Sequence, residues 1–280
     1  SRGLGDVYKR QVEYMDHLSD TIYVSFKVKK TNLKKIQNSE IIIWTTTPWT
    51  IPANKALAYN SALKYLVISL NDDNDFKGRE IIVAKDLLVS FLKDCKIENY
   101  KIVEEFYGKE LEGTICNHPF LNIGYDYDVP MFEARFVTTE QGTGIVHCAP
   151  SHGPDDFNLC LNNGIKALET VDDDGKYTSH IKLFEGTHIF KANPIVIEKL
   201  KEEKNLIANG KLSHSYPHSW RSKAPLVHRA TQQWFISMES HGLRKKALKA
   251  LDETTFYPSK GKERIKSCLL YTSPSPRDDE

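Results

Sequence analysis

Two stretches of this chain gather side chains that could do chemistry together. The first is Trp44-Thr45-Thr46-Thr47-Pro48-Trp49-Thr50-Ile51-Pro52-Ala53-Asn54, which sets three consecutive hydroxyls after an apolar run. The second is Gly142-Thr143-Gly144-Ile145-Val146-His147-Cys148-Ala149-Pro150-Ser151-His152-Gly153-Pro154-Asp155-Asp156-Phe157. It carries a histidine at the end of a short strand and then two carboxylates just inside a helix. Pro154 suits the first helical position, and the macrodipole favours Asp155 and Asp156 in the first turn. Hydroxyls that both donate and accept, facing a carboxylate, suit a pocket for a small, polar, cationic group.

Each candidate has a plainer reading beside its chemical one. Asp156 could grip an ammonium or merely cap a helix, whereas Asp155 is expected to cap or face solvent. Thr45, Thr46 and Thr47 could orient a water and an ester. Strand alternation forbids all three from facing one cavity, so Thr46 and Thr47 are taken as the pocket pair. His147 could be a base, a wall or a satisfied core histidine, and wall or orienter is preferred. Asn54 is a polar candidate or a turn residue. Trp49 could stack on a terminal adenine or belong to the core.

The elements that must hold these residues are legible as a pattern. Period-two alternation marks a strand over 21–28, and further strands are expected over 40–46, 55–59, 64–70, 79–84, 99–106, 129–138 and 144–148. Helices are expected over 86–94, from Pro154, from Asn193-Pro194 to Lys204 with Ile195, Ile197 and Leu200 inward, and over 242–251. A loop is expected over 214–222 and a strand over 225–230. The fold class is α+β: a β-barrel-like domain with peripheral helices, followed by part of an α/β domain. The domains are placed at 12–212 and 213–267, with a boundary near residue 212. The ends, 1–11 and 268–280, show no apolar periodicity and are read as non-native, adapter-derived flanks.

Composition narrows the class. With 280 residues, 40% hydrophobic and 27% charged, the chain has the make-up of a globular protein. A net charge of +1 gives no broad basic field for extended nucleic-acid binding, though a contact with an RNA end needs none. The Lys27, Lys29, Lys30, Lys34 and Lys35 cluster is read as a solvated face. No apolar run reaches the roughly eighteen residues of a membrane span. Five cysteines without a C-x-x-C pair point to reduced thiols in the cytoplasm. His147, His152, Asp156 and the His214/His218 pair have metal-ligand chemistry, but no cysteine pair accompanies them and no metal is expected.

The two signature stretches resemble the editing domain of isoleucyl-tRNA synthetases, members of the class I aminoacyl-tRNA synthetases. The later His214-Ser215-Tyr216-Pro217-His218-Ser219-Trp220-Arg221-Ser222-Lys223-Ala224-Pro225 and Arg229-to-Met238 stretches resemble the return into the catalytic domain. Some relatives carry Cys-x-x-Cys around the Trp-Arg pair; Ser219 and Ser222 stand there in this chain. The resemblance implies hydrolysis of valine mischarged onto isoleucine tRNA. It puts Asp156, Thr46, Thr47 and His147 in the catalytic group and Thr45, Trp49 and Asn54 in substrate binding, with Asp156 on the α-ammonium. It implies the tRNA 3′ end as partner, no protein partner, and no cofactor in this segment. ATP and Mg2+ are expected only for a longer parent enzyme, because neither ATP-binding signature occurs here. The rival readings are a non-catalytic module that binds an amino compound or RNA end, and a valyl-tRNA synthetase relative.

Overall fold

The computed structural model describes residues 12–231 and 237–270. The two end flanks up to residue 11 and from 271, and residues 232–236 within the Arg229-to-Met238 stretch, lie outside the described residues.

The apolar runs of the first half become strands because alternate residues go to different cores. In β1 (Val12–Lys30), Ile22, Val24 and Phe26 enter the main core while Tyr23 enters a second one. β2 (Glu40–Thr45) divides likewise, Ile41 and Ile43 against Ile42. In β4 (Lys64–Leu70) and β5 (Glu80–Ala84), Val67 and Ile82 face inward, and Leu66, Ile68, Ile81 and Val83 face the other way. Strands buried on both faces read as unbroken apolar sequence, which is why Ile41-Ile42-Ile43 shows no alternation. Helix α1 (Leu88–Cys95) supplies Leu88 and Phe91 to the second core. Each such fully buried aliphatic side chain is worth roughly 1.5–3 kcal/mol.

The remaining strands are β3 (Ala56–Tyr59), β6 (Tyr100–Tyr107), β7 (Ile115–Asn117), β8 (Asp128–Glu133), β9 (Ile145–Cys148) and β10 (Leu206–Ser219). They form one mixed sheet in the order β6-β4-β5-β2-β1-β7-β8-β3-β9, with β10 paired to β1. The β2–β5 and β3–β8 pairs are parallel. The sheet curls so that the segment before β9 returns to its far side. Thr143 donates its hydroxyl to the Ile42 carbonyl (2.6 Å), and its own carbonyl accepts from Ala84 N (2.8 Å). Gly144 makes this approach possible: its φ is +74°, and a Cβ there would collide with the Ala84 side chain. The α+β class with a barrel-like core and peripheral helices is the observed architecture.

Contacts divide the chain into two units, Tyr14–Pro217 with Pro225–Ala230, and the described parts of residues 1–13, 218–224 and 231–280. Residue 212 lies inside β10, and the chain leaves the larger unit at His218. In the smaller unit α4 (Leu243–Glu253) packs against α5 (Lys260–Leu270), with Lys262 on Asp252 at 3.1 Å. Residues 268–270, expected as flank, form the end of α5.

Four local expectations are corrected. Residues 214–219 are strand, not loop, because pairing with β1 satisfies their backbone and Ser19 Oγ meets His214 Nε2 at 2.9 Å. Residues 225–230 form no extended strand; Pro225 makes only a single bridge. Helix α3 (Ile189–Glu202) starts before Asn193, where the His188 side chain accepts from Phe190 N, so Pro194 lies inside it. Ile195 is 43% exposed; the buried positions are Ile189, Ala192, Val196 and Leu200. Of the lysine cluster, Lys35 pairs with Glu104 and Lys29 with Asp128 on the exposed surface.

Candidate functional site

The threonine stretch leaves β2 and tightens at once into a 3-10 turn, Pro48–Ala53, with Thr47 before its first residue. Pro48 and Pro52 restrict the backbone, and all six turn residues are buried. Side chains from elsewhere hold its backbone. Trp49 N donates to Asn193 Oδ1 on α3 (3.1 Å), and Tyr177 Oη donates to the Trp49 carbonyl. His118 Nε2 donates to the Ile51 carbonyl (3.1 Å), and Tyr127 Oη to that of Asn54 (2.7 Å).

Within this frame the polar groups form a chain. Asn54 Nδ2 lies 2.9 Å from the Ala56 carbonyl and 2.8 Å from His147 Nδ1. A carbonyl only accepts, so the amide nitrogen must face it, and its second hydrogen goes to His147 Nδ1. The imidazole proton is therefore on Nε2, which donates to Thr50 Oγ1 at 2.9 Å. Thr50 in turn donates to the Thr47 carbonyl at 2.8 Å. Thr47 Oγ1 stands 3.1 Å from both Thr50 Oγ1 and Thr45 Oγ1, and Thr47 N donates to Thr45 Oγ1. Burial pulls the His147 pKa down to about 3, with a smaller push from His152, so the ring is neutral at pH 7.

Asp156 comes to the same end of β9 from the other side. Gly153 caps helix α2 (Pro154–Asn162), and the Asp156 carboxylate packs over that glycine, where a Cβ would touch it at 3.5 Å. Oδ2 accepts from Ala149 N at 2.9 Å, two residues beyond His147. No lysine or arginine pairs with Asp156 among the described residues. Burial, helped by Asp155, lifts its pKa to about 6 against the pull of the Ala149 N–H. Asp155 is exposed. At pH 7 Asp156 is an anion without a cation, only partly open to solvent.

The geometry redistributes the expected roles. Hydrogen bonds join the hydroxyls of Thr45, Thr47 and Thr50, and Thr46 takes no part in that chain. Asn54, expected to bind substrate, is fully buried and touches His147 and backbone. Its Oδ1 has no partner among the described residues. Trp49 is 7% exposed, its ring edge-on to His152 at 4.7 Å, which makes it core rather than a stacking platform. His147 has both ring nitrogens engaged, and so does His152, on the His228 carbonyl and Thr170 Oγ1. Thr50, His118, Tyr127 and Tyr177 were not singled out from sequence. Thr50 alone left a signal there, three residues after Thr47 in the same stretch.

A family model described as tRNA synthetases class I (I, L, M and V) matches residues 8–272. The chain belongs to the class I tRNA synthetases. Among synthetases of this class it is 74% identical over 259 residues to the isoleucine–tRNA ligase of Pelagibacter ubique (strain HTCC1062), covering 92% of this chain and 29% of that protein. It is 43% identical over 277 residues to that of Gluconobacter oxydans (strain 621H), with the same two coverages. For Francisella tularensis subsp. novicida the identity is 45% over 267 residues, 92% of this chain and 28% of the relative. The chain thus spans under a third of these relatives. In fold it is similar to the crystal structure of GlLeuRS-CP1, with a TM-score of 0.53 and 13% identity, over 68% of this chain and 99% of that one. The chain is a homologue of isoleucine–tRNA ligases, and over 68% of its length it shares the fold of GlLeuRS-CP1.

Proposed function

We propose that this segment hydrolyses valine mistakenly esterified to isoleucine tRNA. The observation that carries the reading is Asp156: an anionic, partly buried carboxylate without a cation, held by Ala149 N at the strand end that also presents His147. Such a carboxylate suits the free α-ammonium of an aminoacyl ester, because a desolvated ion pair is strong and directional. The Thr45 and Thr47 hydroxyls would orient the ester and the attacking water, with His147 and Thr50 holding the turn that carries them. An aminoacyl ester is already activated, so positioning can carry much of the rate. His147 is assigned as an orienting group rather than a base, since Nδ1 accepts from Asn54 and Nε2 bears the proton.

The need for a second site follows from pocket energetics. One methylene is worth only about 1–3 kcal/mol, a value established on isoleucyl enzymes and not on this chain. The tRNA 3′ end and its mischarged valine are the proposed partners. A full-length parent in the cytoplasm would join isoleucine to tRNA with ATP and Mg2+. The test is deacylation of valyl-tRNA for isoleucine by the chain and by Asp156→Ala. Loss of at least a hundredfold is expected for the variant, and equal rates would overturn the reading. Faster release of threonine from valine tRNA would favour a valyl relative. Binding without turnover would favour a non-catalytic module.

A further inference from the structure

A second feature lies one residue beyond the histidine relay. Lys55 is partly buried, with Nζ 3.6 Å from the centre of the Tyr127 ring. The exposed Lys182 reaches the same loop: Nζ donates to the Gly124 carbonyl at 3.2 Å, and Tyr125 Oη donates to the Lys182 carbonyl at 2.7 Å. Gly124, with φ +103°, lies under the Lys182 stem, where a Cβ would meet Cδ at 3.7 Å. Two ammonium groups are thus seated on loop residues 124–127. Neither is ion-paired to a carboxylate among the described residues. Burial lowers the Lys55 pKa, and repulsion by Lys182 lowers it further.

A half-buried cation beside another cation is an unfavourable arrangement until an anion joins it. The Tyr127 face offsets part of that penalty. The ring is also fixed in place, since its hydroxyl donates to the Asn54 carbonyl, and Asn54 holds His147. The seat is therefore built into the frame of the relay.

We propose that Lys55 and Lys182 form a seat for a phosphodiester group of a single-stranded RNA 3′ end. Two ammonium groups on one loop offer the positive charge that a phosphodiester backbone takes. The proposal rests on the editing reading, because it supposes that the RNA end reaches the threonine turn. Lysine serves here as a point charge without bidentate geometry.

The experiment is fluorescence-anisotropy binding of a labelled single-stranded RNA ending in CCA, over a salt series. The chain is compared with Lys55→Met, Lys182→Met, the double variant and Lys55→Arg. The double variant should bind about tenfold more weakly. Each lost contact should flatten the slope of log affinity against log salt by about 0.7, and Lys55→Arg should keep the slope. Unchanged affinity and slope in the double variant would overturn the proposal. So would loss of inorganic phosphate binding with RNA binding intact, which would assign the seat to a free anion. Should Lys55→Met misfold by circular dichroism, the exposed Lys182→Met still decides. Hydrolysis of 3′-valyl-adenosine, which has no phosphodiester, by the unaltered chain tests the editing reading separately.

Discussion

Asn54 Nδ2 and His147 Nδ1 stand 2.8 Å apart inside the protein, and that contact sets where the histidine proton resides. With Nδ1 accepting, Nε2–H must point to Thr50 and so toward the threonine turn. Asn54→Asp would reverse this, because a carboxylate accepts from Nδ1–H and frees Nε2 to accept. The expected outcome is a tautomer change visible in imidazole 15N shifts, with ester hydrolysis down about ten- to a hundredfold through kcat. An unchanged 15N spectrum would refute the assigned tautomer.

Thr50→Val keeps the volume and deletes the hydroxyl that accepts from His147 and donates to the Thr47 carbonyl. It leaves a buried N–H without an acceptor, which costs about 1–3 kcal/mol. Denaturant unfolding should show that loss, and hydrolysis should fall while the fold persists by circular dichroism. Thr46→Val, whose hydroxyl joins none of these bonds, should change stability by less than about 0.5 kcal/mol.

Asp156 is expected to trade stability for function. Its folded-state pKa is raised to about 6, above the ordinary 3.8, so the folded protein binds that proton more readily than the unfolded chain. The carboxylate is therefore destabilising above pH 6, and the penalty fades as pH falls toward 3.8. Asp156→Asn should stabilise the protein by about 1 kcal/mol at pH 8 while abolishing hydrolysis. Ester hydrolysis by the unaltered chain should rise with pH through about 6, as the carboxylate needed for an ammonium forms.

The buried histidines act in the opposite sense. Burial holds His118 and His147 at about 3 and His152 at about 4, all below the ordinary 6.5. Their stabilising contribution is complete above pH 6.5 and is lost as pH falls, because the unfolded chain takes up protons that the folded one refuses. Each adds a slope of about 1.4 kcal/mol per pH unit in that window. His118→Phe should flatten the acid limb of an unfolding-versus-pH curve by one such increment. An unaltered limb would mean that His118 is protonated in the folded protein.

Much of this molecule was readable from local pattern. The strand at 64–70 is found where its apolar run and the loop after it put it, and the helix beginning at Pro154 follows from proline and two aspartates. The long β10 was not readable, because His214 to Ser219 becomes strand only by pairing with β1, nearly two hundred residues away in sequence. Pro194 misled for a related reason. Proline favours a helix start, but α3 is anchored earlier by His188 and by Ile189, Ala192 and Val196 in the core.

The same division holds at the site. Residue types and spacing alone picked out the threonine stretch, His147 and Asp156, since their chemistry and turn signals are local properties. Which hydroxyls pair, that Trp49 and Asn54 are interior, and which histidine nitrogen carries the proton were decided by tertiary structure. Those outcomes depend on His118, Tyr127 and Tyr177, distant in sequence, which become neighbours of the turn only when the sheet curls and removes water from around it.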